Sequence, residues 1–212
     1  MVFRSEISLH GSLLINILYV GFNLFSGIRY SSLWFIALAF YYALLSVMRA
    51  VLVLYVHRRP VGEDITSEFK RYRACGIILL LMNQALAGIV VCMVTENRGF
   101  SYPGLMIYVM AMYAFYITIV AAVNVVKFRR RGSPLLSAAK VISLTAALVS
   151  MLSLETAMLA QFGGEDVVFR RLMLGISGGA VCTIVLTMAI YMIARSTRQL
   201  KRLQDNNLKT SC

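Results

Sequence analysis

The sequence predicts an all-α integral membrane protein, and three observations carry that prediction. Apolar side chains make up 59% of the 212 residues and charged ones only 14%, whereas soluble domains average roughly 45–50% and 25%. The mean hydropathy is +0.76. The apolar residues also collect in runs of about 20, the length that crosses the ~30 Å hydrocarbon layer as a helix. A soluble domain, a disordered chain and a disulfide-rich scaffold are therefore excluded.

Six such runs are present, and every gap between them holds charge, Gly or Pro. They are too long and too uniformly apolar for the strands of a membrane barrel, which alternate over about 10 residues. Only helices and closed barrels satisfy their backbone polar groups in lipid, so we expect a bundle of six transmembrane helices. Their approximate bounds are His10–Ile28, Leu33–Tyr55, Ala74–Val94, Leu105–Val126, Val141–Phe162 and Leu172–Ile193.

The starts of the first and third helices need separate arguments. We interpret the first run as retained rather than as a cleaved signal peptide, because its leader holds Arg4 and Glu6 and no A-x-A site follows it. The third helix is expected to begin near Ile65, before the lipid, because Pro60 ends the second helix and Asp64 is a suitable N-cap.

The end of the chain becomes polar. Residues 196–203 keep helical spacing, which fits either an amphipathic extension lying on the membrane or a frayed helix end. Residues 204–212 form a polar tail. We therefore expect a single six-helix domain over residues 1–203, followed by that tail.

The charged links predict how the helices are oriented. The six helices divide into three helical hairpins, each closed by a short outer link: 29–32, 95–104 and 163–171. Lys and Arg accumulate in cytoplasmic loops. Sixteen of the 21 Lys and Arg lie before the first run, in the links 57–73 and 127–140, or after residue 193, and four lie in the short links. Both termini are therefore predicted to be in the cytoplasm, with the protein in the cell (cytoplasmic) membrane.

This orientation also accounts for most of the net charge of +12, because the predicted cytoplasmic side alone carries +11. Nucleic acid is not an expected partner, since the basic residues lie close to membrane ends and are not interleaved with stacking aromatics. Anionic lipid headgroups are expected partners, at ~1 kcal/mol per basic residue near the surface. A homo-oligomer and a larger complex both stay open.

Motifs for enzymatic chemistry are mostly missing from the sequence. The two histidines, His10 and His57, have no second ligand three or four residues further along the chain, and the four cysteines form no C-x-x-C pair. Phosphate-binding loops and H-E-x-x-H motifs are also absent. We therefore assign no catalytic residue, no metal site and no cofactor, and favour a protein that is not an enzyme.

Polar side chains at membrane depth are the candidate ligand or ion sites, because a charge there costs roughly 2.5–3.5 kcal/mol on insertion scales. At ~1.5 Å of rise per residue, these side chains fall at two depths. The inner layer is Asn16, Arg49, Asn83 and Gln84, and the outer layer is Asn23 and Glu155.

Arg49 and Glu155 are the only charges well inside the hydrocarbon, but their depths differ by ~11 Å, so a direct ion pair is not expected. Arg49 either extends toward the cytoplasmic headgroups or is buried with a partner or an anionic ligand. Glu155 is either a structural carboxyl that loss of hydration keeps neutral and that is bonded to Asn23 or to a Ser or Thr, or a group that couples a proton or a cation.

Two further patterns concern packing. Tyrosines are numerous at mid-depth, and each hydroxyl needs a partner, so we expect them to face the bundle interior. They are Tyr41, Tyr42, Tyr108, Tyr113 and Tyr116, of which Tyr113 is also a ligand candidate. Gly175 and Gly179 have the spacing that lets helix backbones approach closely, which fits packing within the bundle or a homodimer contact.

These observations favour a small polytopic membrane protein that binds or transports a small amphipathic solute or lipid, alone or as a membrane subunit of a larger complex. The alternative is a regulatory or scaffolding membrane protein that contacts a partner through its basic cytoplasmic face. A polar cavity would favour the first function, whereas a closed and dry core would favour the second.

Overall fold

The computed structural model describes residues 17–25, 27–29, 33–58, 65–96, 105–127, 134–162 and 166–210. All of these residues except Asp166 are helical, which confirms the all-α class. Helical residues 17–25 and 27–29, here called α1, precede five longer helices. These are α2 (Leu33–Arg58), α3 (Ile65–Glu96), α4 (Leu105–Lys127), α5 (Pro134–Phe162) and α6 (Val167–Thr210).

Three of the described helices are long and apolar enough to cross a membrane. The segments are Ile65–Cys92 in α3, Pro134–Phe162 in α5 and Val167–Asp205 in α6. Helices α2 and α4 contain shorter apolar stretches, Ile36–Leu52 and Ile107–Ala121. Three helices thus support the prediction that the chain is a membrane protein. That it crosses the membrane six times stays a prediction.

The helix starts follow from local sequence. Helix α3 begins at Ile65, as predicted. Helix α5 begins at Pro134, earlier than the predicted Val141, because proline is favourable in the first turn of a helix, where its missing N–H has no role.

Helix α6 is longer than predicted at both ends. At its start the carboxylate of Asp166 accepts hydrogen bonds from the backbone N–H groups of Val168 and Phe169, each at 3.0 Å, and such a cap stabilises a helix N-terminus. At its other end the helix continues through Thr210. Residues 204–210 of the predicted polar tail are therefore helical, and residues 196–203 are a continuous helix rather than a frayed end.

Helix α5 lies at the centre of the bundle and packs against α2, α3, α4 and α6. One face of α5 carries small buried side chains at alternating spacings of three and four residues: Ser143, Ala146, Ser150, Ser153 and Ala157. Small residues let neighbouring helices approach closely in a membrane, where association depends on close packing rather than on exclusion of water. This face therefore explains why α5 can contact so many neighbours.

Helices α3 and α6 pack along their lengths as an antiparallel pair. A Cβ added to Gly76 would lie 3.0 Å from Cγ1 of Ile193 on α6, and one added to Gly178 would lie 2.5 Å from Cγ1 of Val90 on α3. The same added atom at Gly175 or Gly179 would meet nothing within 4 Å. The close contact therefore uses Gly178, and packing of the predicted Gly175 and Gly179 pair inside the bundle is not observed among the described residues.

The antiparallel packing gathers basic side chains at one end of the bundle. Near the end of α2, the ring of Tyr55 lies against the guanidinium of Arg71 near the start of α3, with Cζ of Arg71 4.2 Å from the ring centroid. Tyr72 of α3 lies beside Arg195 of α6. We call this region the basic end. Its exposed basic side chains are Lys70, Arg71, Arg73, Arg195, Arg198, Lys201 and Arg202.

Candidate functional site

Arg49 of α2 is buried inside the bundle and is only 2% exposed. One of its guanidinium N–H groups donates a 2.7 Å hydrogen bond to Oγ of Ser143 on α5. Tyr113 of α4 is near enough to interact with it electrostatically. Of the two alternatives that the sequence left open, the structure therefore shows the buried guanidinium rather than the extended one.

Tyr19, Tyr42 and Tyr113 come from α1, α2 and α4 and form a tyrosine cluster. The rings of Tyr19 and Tyr113 are stacked, with centroids 3.6 Å apart and an interplanar angle of 1°. Tyr42 meets both edge-on, at 4.9 and 5.9 Å. Its hydroxyl donates to the carbonyl oxygen of Ala146 on α5 at 3.3 Å. The cluster thus joins α1, α2 and α4 to the central helix.

The predicted burial of five tyrosines is correct only in part. Tyr41, Tyr42 and Tyr113 are buried, but Tyr108 and Tyr116 are exposed on α4, at 66% and 41%. Tyr113 lies on the buried face of α4, and Tyr108 and Tyr116 lie outside that face. The argument from hydroxyl partners does not apply to Tyr108 and Tyr116, because a ring on the outer face is not enclosed by protein.

The residues of the predicted inner layer are not brought together in the described part of the chain. Asn83 of α3 is buried, and its side-chain oxygen has no hydrogen-bond partner among the described residues. Gln84 is exposed. Arg49 instead bonds to Ser143 on α5, and Asn16 lies outside the described residues.

The two residues of the predicted outer layer are also separate. The side-chain amide of Asn23 donates to the backbone oxygen of Tyr19 at 2.8 Å, within its own helix. Glu155 is half-buried on α5 and makes no hydrogen bond or ion pair with another described residue. The predicted Asn23–Glu155 hydrogen bond is therefore not formed. Glu155 also lies twelve residues, about 18 Å, along α5 from Ser143, consistent with the expectation that it does not pair with Arg49.

Glu155 lines an open cleft between the end of α5 and the start of α6, on the side of the bundle away from the basic end. The cleft has a volume of about 450 Å³. Its remaining lining is apolar and consists of Met151, Leu154, Met158, Leu159 and Phe162 from α5 and Phe169 from α6. We call it the Glu155 cleft. It combines one carboxyl group with an otherwise apolar and partly aromatic wall.

Sequence reasoning missed the hydroxyl side chains of α5. Ser150 and Thr156 donate to carbonyl oxygens of their own helix, each at 2.8 Å, whereas Thr145 and Ser153 are buried with no hydrogen-bond partner among the described residues. The signal that could have found this face is the spacing of Ser143, Ser150 and Ser153, which recur at seven and three residues along one side of a helix.

The described residues contain no group of three or more His, Cys, Asp or Glu side chains that could hold a metal ion. Buried side-chain oxygens with no hydrogen-bond partner among the described residues are the more conspicuous polar feature of the interior. They are Oδ1 of Asn23 and Asn83 and the hydroxyl oxygens of Tyr41, Ser46, Thr145 and Ser153. No family model matches the chain, and no curated protein matches it at a significant level.

Proposed function

We propose that this chain is a small polytopic protein of the cytoplasmic membrane that binds or transports a small amphipathic solute or lipid, alone or as a membrane subunit of a larger complex. The observation that carries the proposal is the Glu155 cleft. Ligand sites are typically concave, mostly apolar and about 300–1,000 Å³ in volume, with a small number of polar groups that fix orientation. The Glu155 cleft fits this description in size and in lining, although it is an open and mostly apolar cleft rather than the polar cavity that the sequence-based criterion specified.

The proposal includes six crossings arranged as three hairpins, with both termini in the cytoplasm. The clustering of exposed basic residues from α3 and α6 at one end supports this arrangement, because positive charge accumulates on the cytoplasmic side of membrane proteins. In this orientation the Glu155 cleft lies toward the outer leaflet, and its open side is accessible to molecules dissolved in that leaflet.

The test is equilibrium binding of tritiated amphipaths that share one alkyl chain and differ in headgroup charge. The full chain is used in nanodiscs, with Met158→Trp to fill the cleft and Met112→Trp, on the exposed face of α4, as the matched control. At least one amphipath should bind saturably, at least tenfold more weakly to Met158→Trp, and unchanged to Met112→Trp. Equal binding of every amphipath to all three proteins would contradict the proposal.

The alternative is a regulatory or scaffolding protein that contacts a partner, including anionic lipid headgroups, through the basic end. It is favoured by the seven exposed Lys and Arg side chains there, since each attracts anionic lipid by ~1 kcal/mol. Complementation of a gene-deletion strain separates the two functions. Replacing Arg195, Arg198, Lys201 and Arg202 with Gln should abolish a scaffolding function, whereas Met158→Trp should abolish only a function that needs the cleft.

A further inference from the structure

We propose that the ligand of the Glu155 cleft is a monovalent organic cation with a bulky apolar body, such as a lipophilic ammonium ion, and that Glu155 is its counter-ion. This inference rests on the proposed function, because it names the chemical class that the cleft selects. It is carried by three features: a carboxyl group without a partner in the described part of the chain, an aromatic wall, and the absence of further oxygen ligands among the lining residues.

The first step concerns the charge of the cleft. Among the described residues that line the cleft, Glu155 contributes the only ionisable side chain. A carboxylate set among apolar side chains has lost part of its hydration and is stabilised by a cation placed beside it. Arg170 and Arg171 follow Phe169 on α6, but neither lines the cleft. An anionic ligand would be repelled by Glu155, and a neutral ligand would leave the carboxylate without a counter-charge.

The second step concerns the wall. Phe162 and Phe169 face the cleft from α5 and α6, and Met151 and Met158 contribute sulfur atoms. Aromatic faces attract organic cations by about 0.5–2 kcal/mol, more strongly when the cation is desolvated. Methionine side chains are flexible and polarisable, so they adapt to irregular apolar shapes. These residue types suit a cation that carries its own hydrocarbon surface.

The third step excludes a bare metal ion. Calcium takes six to eight oxygen ligands, and magnesium requires near-octahedral oxygen coordination. The described residues of the lining offer one carboxyl group and otherwise only apolar side chains. A compact, strongly hydrated inorganic cation would therefore lose more hydration than the cleft replaces, whereas a weakly hydrated organic cation loses little.

The experiment uses tetraphenylphosphonium and tetraphenylborate, which have the same shape and opposite charge. Binding of each is measured on the full chain in phosphatidylglycerol nanodiscs, with Glu155→Gln, Glu155→Asp and Met158→Trp as variants. We expect saturable binding of the phosphonium, at least tenfold weaker in Glu155→Gln and partly restored in Glu155→Asp. Tetraphenylborate should not bind the wild-type chain more tightly than it binds Glu155→Gln.

The outcomes separate this inference from the proposed function. If Met158→Trp weakens binding of both probes while Glu155→Gln changes neither, the cleft binds amphipaths without regard to charge, and the inference is wrong while the function stands. If no probe binds in a way that Met158→Trp alters, both are wrong. Thermal unfolding of each variant verifies its fold, and Glu155→Gln should fold normally because Glu155 makes no described hydrogen bond.

The same ammonium chemistry has two sources, a free solute or a lipid headgroup. Replacing part of the phosphatidylglycerol with phosphatidylethanolamine distinguishes them. Competition that weakens phosphonium binding to the wild-type chain, but not the residual binding to Glu155→Gln, assigns the cleft to the lipid amine. Unchanged phosphonium binding assigns it to a free cation.

Discussion

The guanidinium of Arg49 on α2 and the hydroxyl of Ser143 on α5 are joined by a 2.7 Å hydrogen bond in the buried core of the bundle. This bond places a positive charge against a neutral hydroxyl on the most enclosed helix. Because α5 contacts four other helices, a change at this pair affects the packing of the whole bundle.

Replacing Arg49 with Ala should therefore destabilise the detergent-solubilised protein, and Arg49→Lys should be partly tolerated. Ser143→Ala should lower the free energy of unfolding by about 0.5–2 kcal/mol, the span of values for hydrogen bonds between helices in membrane proteins and in model peptides. Thermal unfolding measures both effects, with Arg73→Ala on the exposed surface of α3 as the control. A melting temperature unchanged by Arg49→Ala would show that the guanidinium is not part of the core.

The tyrosine cluster predicts that three substitutions lower the stability of the protein to different degrees. Tyr42→Phe removes only the hydrogen bond to Ala146 and should cost about 0.5–1.5 kcal/mol. Tyr42→Ala also removes the edge contacts to Tyr19 and Tyr113 and should cost about 3–5 kcal/mol, as for other large aromatic truncations. Tyr108→Ala, at an exposed position, should change stability little. Equal effects at Tyr42 and Tyr108 would argue against the cluster.

Adjacent glycines of α6 provide a matched pair. An added Cβ at Gly178 would meet Val90 at 2.5 Å, whereas one at Gly179 has open space. Gly178→Ala should therefore lower stability by about 1–3 kcal/mol through overpacking, and Gly179→Ala should be neutral or slightly stabilising because alanine favours the helix. Combining Gly178→Ala with Val90→Ala should restore part of the loss. The reverse ranking of the two single variants would contradict the α3–α6 contact.

The proposed orientation predicts the side on which reporter fusions lie. Fusions after Arg131 and after Cys212 should report a cytoplasmic location, and a fusion after Gly164 an external one, because of the sixteen-to-four distribution of Lys and Arg. Paired enzymatic reporters that are active on opposite sides of the membrane measure this directly. An external signal from the fusion at Cys212 would remove the six-crossing arrangement.

The helical class and the start of α3 could be predicted, because hydropathy and helix-breaking residues act locally. Which face of each helix is buried against protein could not be predicted. In an apolar helix the side toward lipid and the side toward protein have similar hydrophobicity, so the pattern that separates them in soluble helices is weak. Tyr108 and Tyr113 therefore looked alike in the sequence, although one is exposed and the other is buried.

The candidate site, too, could be predicted only in part. The depth of Glu155 could be counted along its helix, but the cleft beside it depends on Phe169, which lies in a segment that the sequence assigned to a link. The burial of Arg49 depends on which side of α2 meets α5, because a long side chain at that depth can also extend to the headgroups. Only the packing of the helices decides between these outcomes.

The length of α6 determines how far its C-terminal end lies from the part of the helix that packs against α3. The helix has 44 residues and is therefore about 66 Å long, roughly twice the thickness of the hydrocarbon layer. Its last 15 residues, after Arg195, measure about 22 Å along the axis. Helix α6 thus acts as a rigid spacer that holds its C-terminal tip about 22 Å from Arg195.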